Sequence, residues 1–133
     1  MKFILMMNMK TDAASQAQGI MTWQPEEIKA HIQYMMSLNR ALKEEGKLVA
    51  AEGLAWPDQA KLVRAGAGGQ PVTDGVFAET KEFLIGYWLI DVENMDEACR
   101  VAARASQAPG RGGQPLNLPI EVRQVMAGPH RRG

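Results

Sequence analysis

The densest polar chemistry in the chain is the stretch Asp74-Gly75-Val76-Phe77-Ala78-Glu79-Thr80-Lys81-Glu82, which leads directly into the apolar run Phe83-Leu84-Ile85-Gly86-Tyr87-Trp88-Leu89-Ile90. Carboxylates and an amine beside a strand could do acid and base work. A carboxylate of Asp74 or Glu79 could serve as general base if burial or a neighbouring negative charge raised its pKa toward neutrality, and Lys81 could stabilise an enolate-like oxyanion. Left in water, Asp74 would titrate near about 3.9 and be a poor base. The competing reading is structural: Asp74-Gly75 makes a turn, and Glu79, Lys81 and Glu82 form ion pairs that orient the strand.

Four further residues are candidates for holding a substrate. Glu121 and Arg123 are two apart on the last strand and so share a face, where they could pair with the charges of the first stretch or clamp an anion bidentately. Glu82 closes that stretch, and Trp88 could wall a pocket from the centre of a sheet or simply pack in the core. His31 follows Glu27 by one helical turn, which allows a helix-surface hydrogen bond or, since histidine titrates near neutrality, a general acid or base. His31, Cys99 and His130 are too scattered to form a ligand set, and the methionines Met6, Met7, Met9, Met21, Met35 and Met36 read as gap-filling core residues. No metal and no cofactor is expected. Gly66-Ala67-Gly68-Gly69 lacks the Lys and Ser or Thr of a phosphate loop, so it is read as a hairpin turn. Gly110-Arg111-Gly112-Gly113 is read as a loop.

These residues need elements to position them. Residues 2–9 form a short apolar run that suits a strand, and residues 11–22 read as loop. Pro25, Glu26 and Glu27 open a helix on which Ile28, Ile32, Met35 and Leu42 recur at helical spacing until Gly46 stops it. Lys47–Leu54 returns as a strand. Trp56-Pro57-Asp58 turns the chain, and Lys61–Ala65 with Pro71–Thr73 make the arms of a hairpin. Phe83–Val92 is the strongest strand, with side chains of alternating parity on opposite faces. Asn94, with Glu97 three residues later, opens a second helix that carries Ala98, Val101, Ala102 and Ala105 inward and ends before Pro109-Gly110. Leu118–Met126 is the last strand. Two helices on one face of an antiparallel sheet make an α+β, ferredoxin-like domain. Residues 1–127 are read as that single domain and 128–133 as a flexible tail.

Composition narrows the partners. Fifteen Lys and Arg balance fifteen Asp and Glu, without the positive excess that draws proteins to nucleic acid or anionic membranes. One cysteine excludes an intrachain disulfide and agrees with a reducing compartment. No apolar stretch nears the roughly 20 residues that span a bilayer, so a cytoplasmic protein is expected. Both faces of the Phe83 strand, and of the first strand with Phe3, Leu5 and Met7 against Ile4 and Met6, are apolar. Two helices cover one face only, and the other would be an exposed patch larger than soluble monomers tolerate. A homodimer packed sheet to sheet, with a shared cleft, is therefore expected.

The nine-residue stretch resembles the signature of the YCII-related, or DGPF-domain, proteins, with Val76 where the motif has proline. Gly53-Leu54, Ile85-Gly86-Tyr87-Trp88-Leu89-Ile90-Asp91-Val92, Asp96-Glu97-Ala98 and Ile120-Glu121-Val122-Arg123-Gln124-Val125 are similar in type and order. The resemblance implies a bacterial protein with the fold of a dimeric α+β barrel built from two ferredoxin-like units. Relatives on that scaffold include muconolactone isomerase-like enzymes, many members have no assigned reaction, and some accompany extracytoplasmic-function sigma factors. One branch is associated with a His and Asp pair, which is not carried over to positions here. Two functions follow as expectations: a cofactor-free small-molecule enzyme of isomerase or lyase type working in the dimer cleft, or a small-molecule-binding or regulatory module linked to a sigma-factor system.

Overall fold

A computed structural model describes residues 1–10, 19, 22–75 and 82–126. Strand β1 (Lys2–Lys10) leads to helix α1 (Pro25–Glu44) and strand β2 (Leu48–Gly53). A hairpin of β3 (Lys61–Ala65) and β4 (Pro71–Gly75) follows, then β5 (Glu82–Asp91), helix α2 (Met95–Ser106) and β6 (Ile120–Gln124). The sheet runs β2-β5-β1-β6 with every neighbouring pair antiparallel, which is the ferredoxin-like arrangement of two interleaved βαβ units. Helix α1 packs over β2, and α2 over β6 and β1.

Each element has a local cause. Pro25 stands at the first turn of α1, and the Gln24 amide donates to the Glu27 carboxylate at 2.8 Å, which satisfies one of the orphan donors of the helix start. At the other end Gly46 takes φ +73°, and the Lys47 amide closes back on the Leu42 carbonyl. The inward stripe of α1 is Tyr34, Met35, Leu38 and Leu42. Ile32, expected on that stripe, is instead exposed, because it lies about 100° round the helix from His31 and Tyr34 lies on the other side. On α2 the Asn94 side chain accepts from the Glu97 amide, while the Glu97 carboxylate reaches one residue further than a capping box does, to the Glu93 amide. Ala98, Val101, Ala102 and Ala105 face inward as expected. Their small side chains let the helix approach the sheet, where Phe3, Leu5, Trp88 and Ile90 are buried.

Strand parity is broken in β2, where Val49 is an extra residue between Leu48 opposite Ile90 and Ala50 opposite Leu89, and, more consequentially, in β5. Met7 pairs with Gly86 but Asn8 pairs with Leu84, so Ile85 is an extra residue in β5 with no register partner in β1. The bulge turns Ile85 to the core side, with Trp88 and Ile90, rather than to the face of Tyr87 and Leu89 that strict alternation implies. Two other expectations are adjusted. Asp74 and Gly75 do not turn the chain but extend β4, opposite Leu62 and Lys61. The last strand begins at Ile120 instead of Leu118, after Asn117 at φ +52° and Pro119. Among the described residues no helix is long and apolar enough to cross a membrane.

Candidate functional site

Three residues of α1 at intervals of four, His31, Met35 and Asn39, look down on the sheet where the bulge opens it. The half-buried His31 ring places Nδ1 3.1 Å from the Pro109 carbonyl oxygen. A carbonyl only accepts, so Nδ1 carries a proton, and the neutral form of the ring has its lone pair on Nε2. Nε2 meets no partner among the described residues. Trp23 stands edge-on to the imidazole, with ring centroids 5.5 Å apart and planes at 74°.

Two hollows meet at this ring. The smaller, about 310 Å³, lies between α1 and the strands, with Met35, Asn39, Ala51 and Trp88 in its lining. The larger, about 700 Å³, continues past Trp23, Leu116, Leu118 and Ile120. Met7, His31 and Ile85 line both, so they form one cleft with the histidine at its waist. Its size is that of ordinary small-molecule sites, which run from about 300 to 1,000 Å³. On the floor the Trp88 indole N–H donates to the Asn39 carboxamide oxygen at 2.8 Å. That leaves the Asn39 NH₂ able to donate elsewhere.

Charge stays at the margin. Glu52, Lys10, Glu82 and Glu121 border the hollows, yet their register partners are Tyr87, each other for Lys10 and Glu82, and Met6. Those are positions of the opposite, helix-free face. Asn8 borders the larger hollow too and, opposite Leu84, belongs to that same face, so among the described residues the cleft interior is an apolar lining with one imidazole and one carboxamide. Such a site can exchange a proton with a bound molecule through Nε2 and orient it through Asn39. Among the described residues no three His, Cys, Asp or Glu side chains gather closely enough to hold a metal ion.

The structure sorts the candidate residues into three places. His31 and Trp88 share the cleft. Glu82, Glu121 and Arg123 belong by register to the open sheet face, with Glu121 opposite Met6 and Arg123 opposite Ile4. Asp74 lies on the exposed hairpin, its carboxylate 3.3 Å from the Arg64 guanidinium, and no hairpin residue lines either hollow. Glu79 and Lys81 lie outside the described residues. Asn39 and Trp23 were not singled out as site residues by sequence reasoning. The signal that could have found Asn39 is its spacing from His31, two polar residues eight apart on an otherwise apolar helical stripe.

Fold and site together define a small α+β domain of ferredoxin-like topology with one histidine-bearing cleft under its first helix. The chain belongs to the YCII-related domain family, whose family model matches residues 1–110. It is also similar to an uncharacterized protein of Rhizobium meliloti (strain 1021), 38% identical over 86 residues that make up 65% of this chain and 69% of the relative.

Proposed function

We propose that the cleft under α1 binds a small molecule and that His31 moves a proton on it through Nε2, as a cofactor-free isomerase or lyase would. The observation that carries this reading is the histidine shared by both hollows, with Nδ1 held by the Pro109 carbonyl and Nε2 left without a partner among the described residues. A base must reach its proton with a free lone pair, and a fixed tautomer supplies one without reorganisation. In an isomerisation Nε2 takes a proton from one atom of the ligand and returns it to another, so no redox partner or metal is consumed.

Screening a library of single-ring compounds by NMR tests the reading. Binders are expected to shift the methyl signals of Met7, Met35 and Ile85 together with the His31 ring. A binder carrying an acidic C–H should exchange it with solvent deuterium, and His31→Gln should slow that exchange by about 10²–10⁴-fold, the usual share of a general base. Binders that all map away from these residues would overturn the site. Binding without any exchange would instead favour an effector-binding role.

The protein is proposed to work as a homodimer. Ile4, Met6, Leu84, Tyr87 and Leu89 make the centre of the helix-free sheet face, and Lys2, Lys10, Glu52, Glu82, Asp91, Glu121 and Arg123 surround it by register. An apolar centre inside a charged rim is the usual anatomy of a protein interface. A second copy packed on this face supports solubility where a lone sheet would present the patch to water.

A further inference from the structure

His31 is held by a strap that α1 itself holds. Between α2 and β6 the chain makes a narrow excursion, closed by the bridge of Pro109 with Pro115 and by amide bonds from Gly110 to Gln114 at 2.8 Å and Leu116 to Ala108 at 2.9 Å. Its tip, Arg111-Gly112-Gly113, rests on the first turn of α1. There the Gly112 amide donates to the Glu27 carboxylate, and the Arg111 guanidinium donates to the Thr22 hydroxyl. Glu27 thus spends one oxygen on the Gln24 amide and the other on the strap. These two amide bonds, the one from Gly112 first, hold the Glu27 carboxyl below the usual glutamate range. The neck of the strap is packed against the site: a Cβ on Gly110 would come 2.5 Å from Leu116 Cδ2 and 3.3 Å from the Trp23 ring. One residue before it stands the Pro109 carbonyl that receives the His31 proton.

We infer that Glu27 is a positioning residue for His31: by pinning the strap tip one helical turn away, it sets the Pro109 carbonyl and so chooses the tautomer that leaves Nε2 open to the cleft. This rests on the reading of His31 as the acid and base group, but its mechanism is visible without any ligand. Glu27 and His31 are four residues apart on one helix, so strap tip and strap neck are fixed to the same rigid element. If the tip is released, the carbonyl is no longer held where Nδ1 needs it.

The test is ¹⁵N NMR of the His31 ring in the unliganded protein, comparing wild type with Glu27→Gln and Glu27→Ala. Glutamine has one acceptor oxygen and can keep the Gln24 bond, so it separates the strap from the helix cap. Wild type is expected to show the Nδ1–H tautomer. In both variants the ratio of Nδ1–H to Nε2–H should fall roughly fivefold, the value of one ordinary hydrogen bond, with far-UV circular dichroism unchanged. A purely structural Glu27 would lower the melting temperature and leave the tautomer as in wild type, and that result overturns the inference. Ligand binding in the cleft with an unaltered tautomer would defeat the positioning role alone. An altered tautomer with no binder in the cleft would defeat the functional reading alone.

Discussion

Asn39 and Trp88 show how closely support and function are joined at the scale of single residues. Trp88 is 6% exposed, and its indole N–H donates to the Asn39 carboxamide oxygen at 2.8 Å. Asn39→Ala should therefore leave a buried donor unsatisfied and cost about 1–3 kcal/mol in urea denaturation. In a Trp88→Phe background the same Asn39→Ala change should cost much less, because no donor remains to be stranded; equal costs in both backgrounds would show that the bond is not coupled. Trp88 was legible as a possible pocket wall from its place in the strongest strand. Asn39 was not, since one amide on a helix reads equally as a solvated residue until its neighbours across the cleft are known. His31 sits between these cases. Its spacing to Glu27 was visible, but the Pro109 carbonyl that defines its chemistry comes from 78 residues away.

Helices and strands follow from short-range rules, and most of them were readable for that reason. Pro25 with two glutamates, Asn94 with Glu97, and the branched and aromatic run of β5 are local signals, and each gave an element close to its observed bounds. The bulge at Ile85 was not readable, because parity is broken by pairing with β1 and not by any residue type in β5. A bulge-removing deletion of Ile85 should restore strict alternation with Phe83 still opposite Met9, and, by taking the Ile85 side chain out of the lining, disturb the cleft floor, seen as altered Met7 and Met35 methyl signals. Ion pairs join the elements at the opposite end. Lys47, ahead of β2, bridges Glu45 at 3.1 Å and Glu97 at 3.3 Å, and Arg104 of α2 meets Glu45 at 3.5 Å. The Lys47 and Arg104 hydrogen bonds lower the Glu45 carboxyl, and the Glu93 amide, then Lys47, lower that of Glu97. Lys47 is raised by the same partners. Folded carboxyls lowered below their unfolded value stabilise above that value, about 4.5, and lose the contribution as pH falls through the folded one. Lys47 contributes below about 10.5 and loses it as pH rises through its raised value. The urea midpoint should thus be flat near neutrality and fall on acidification below about pH 4.5. Glu45→Gln should make that acid limb shallower, most clearly at low salt.

At the scale of the whole molecule the open sheet face carries the proposed pairing. Its apolar centre was legible from the two-sided hydrophobicity of β1 and β5, although the residues that occupy it differ from strict parity through the bulge at Ile85. Leu89 lies in the middle of β5 between Ile4 of β1 and Ala50 of β2, away from the cleft under α1 and from the bulge. A charge there meets water in a monomer but must be buried without a partner when two sheets close on each other, which costs several kcal/mol per ion. Two copies related by a two-fold axis bury the position twice, so the penalty doubles in the dimer and is absent from the separated chain. Light scattering of the wild type at micromolar concentration should therefore give twice the 14.6 kDa chain mass, and Leu89→Arg should give the single chain mass with circular dichroism retained. A monomeric wild type would remove the proposed pairing. A Leu89→Arg protein that stays dimeric would move the interface to another surface, with the hairpin next in line because Leu62, Val63 and Val72 are exposed there. Ligand binding by the monomeric variant separates assembly from site, since every side chain assigned to the cleft interior comes from one chain; affinity close to wild type is the expected result.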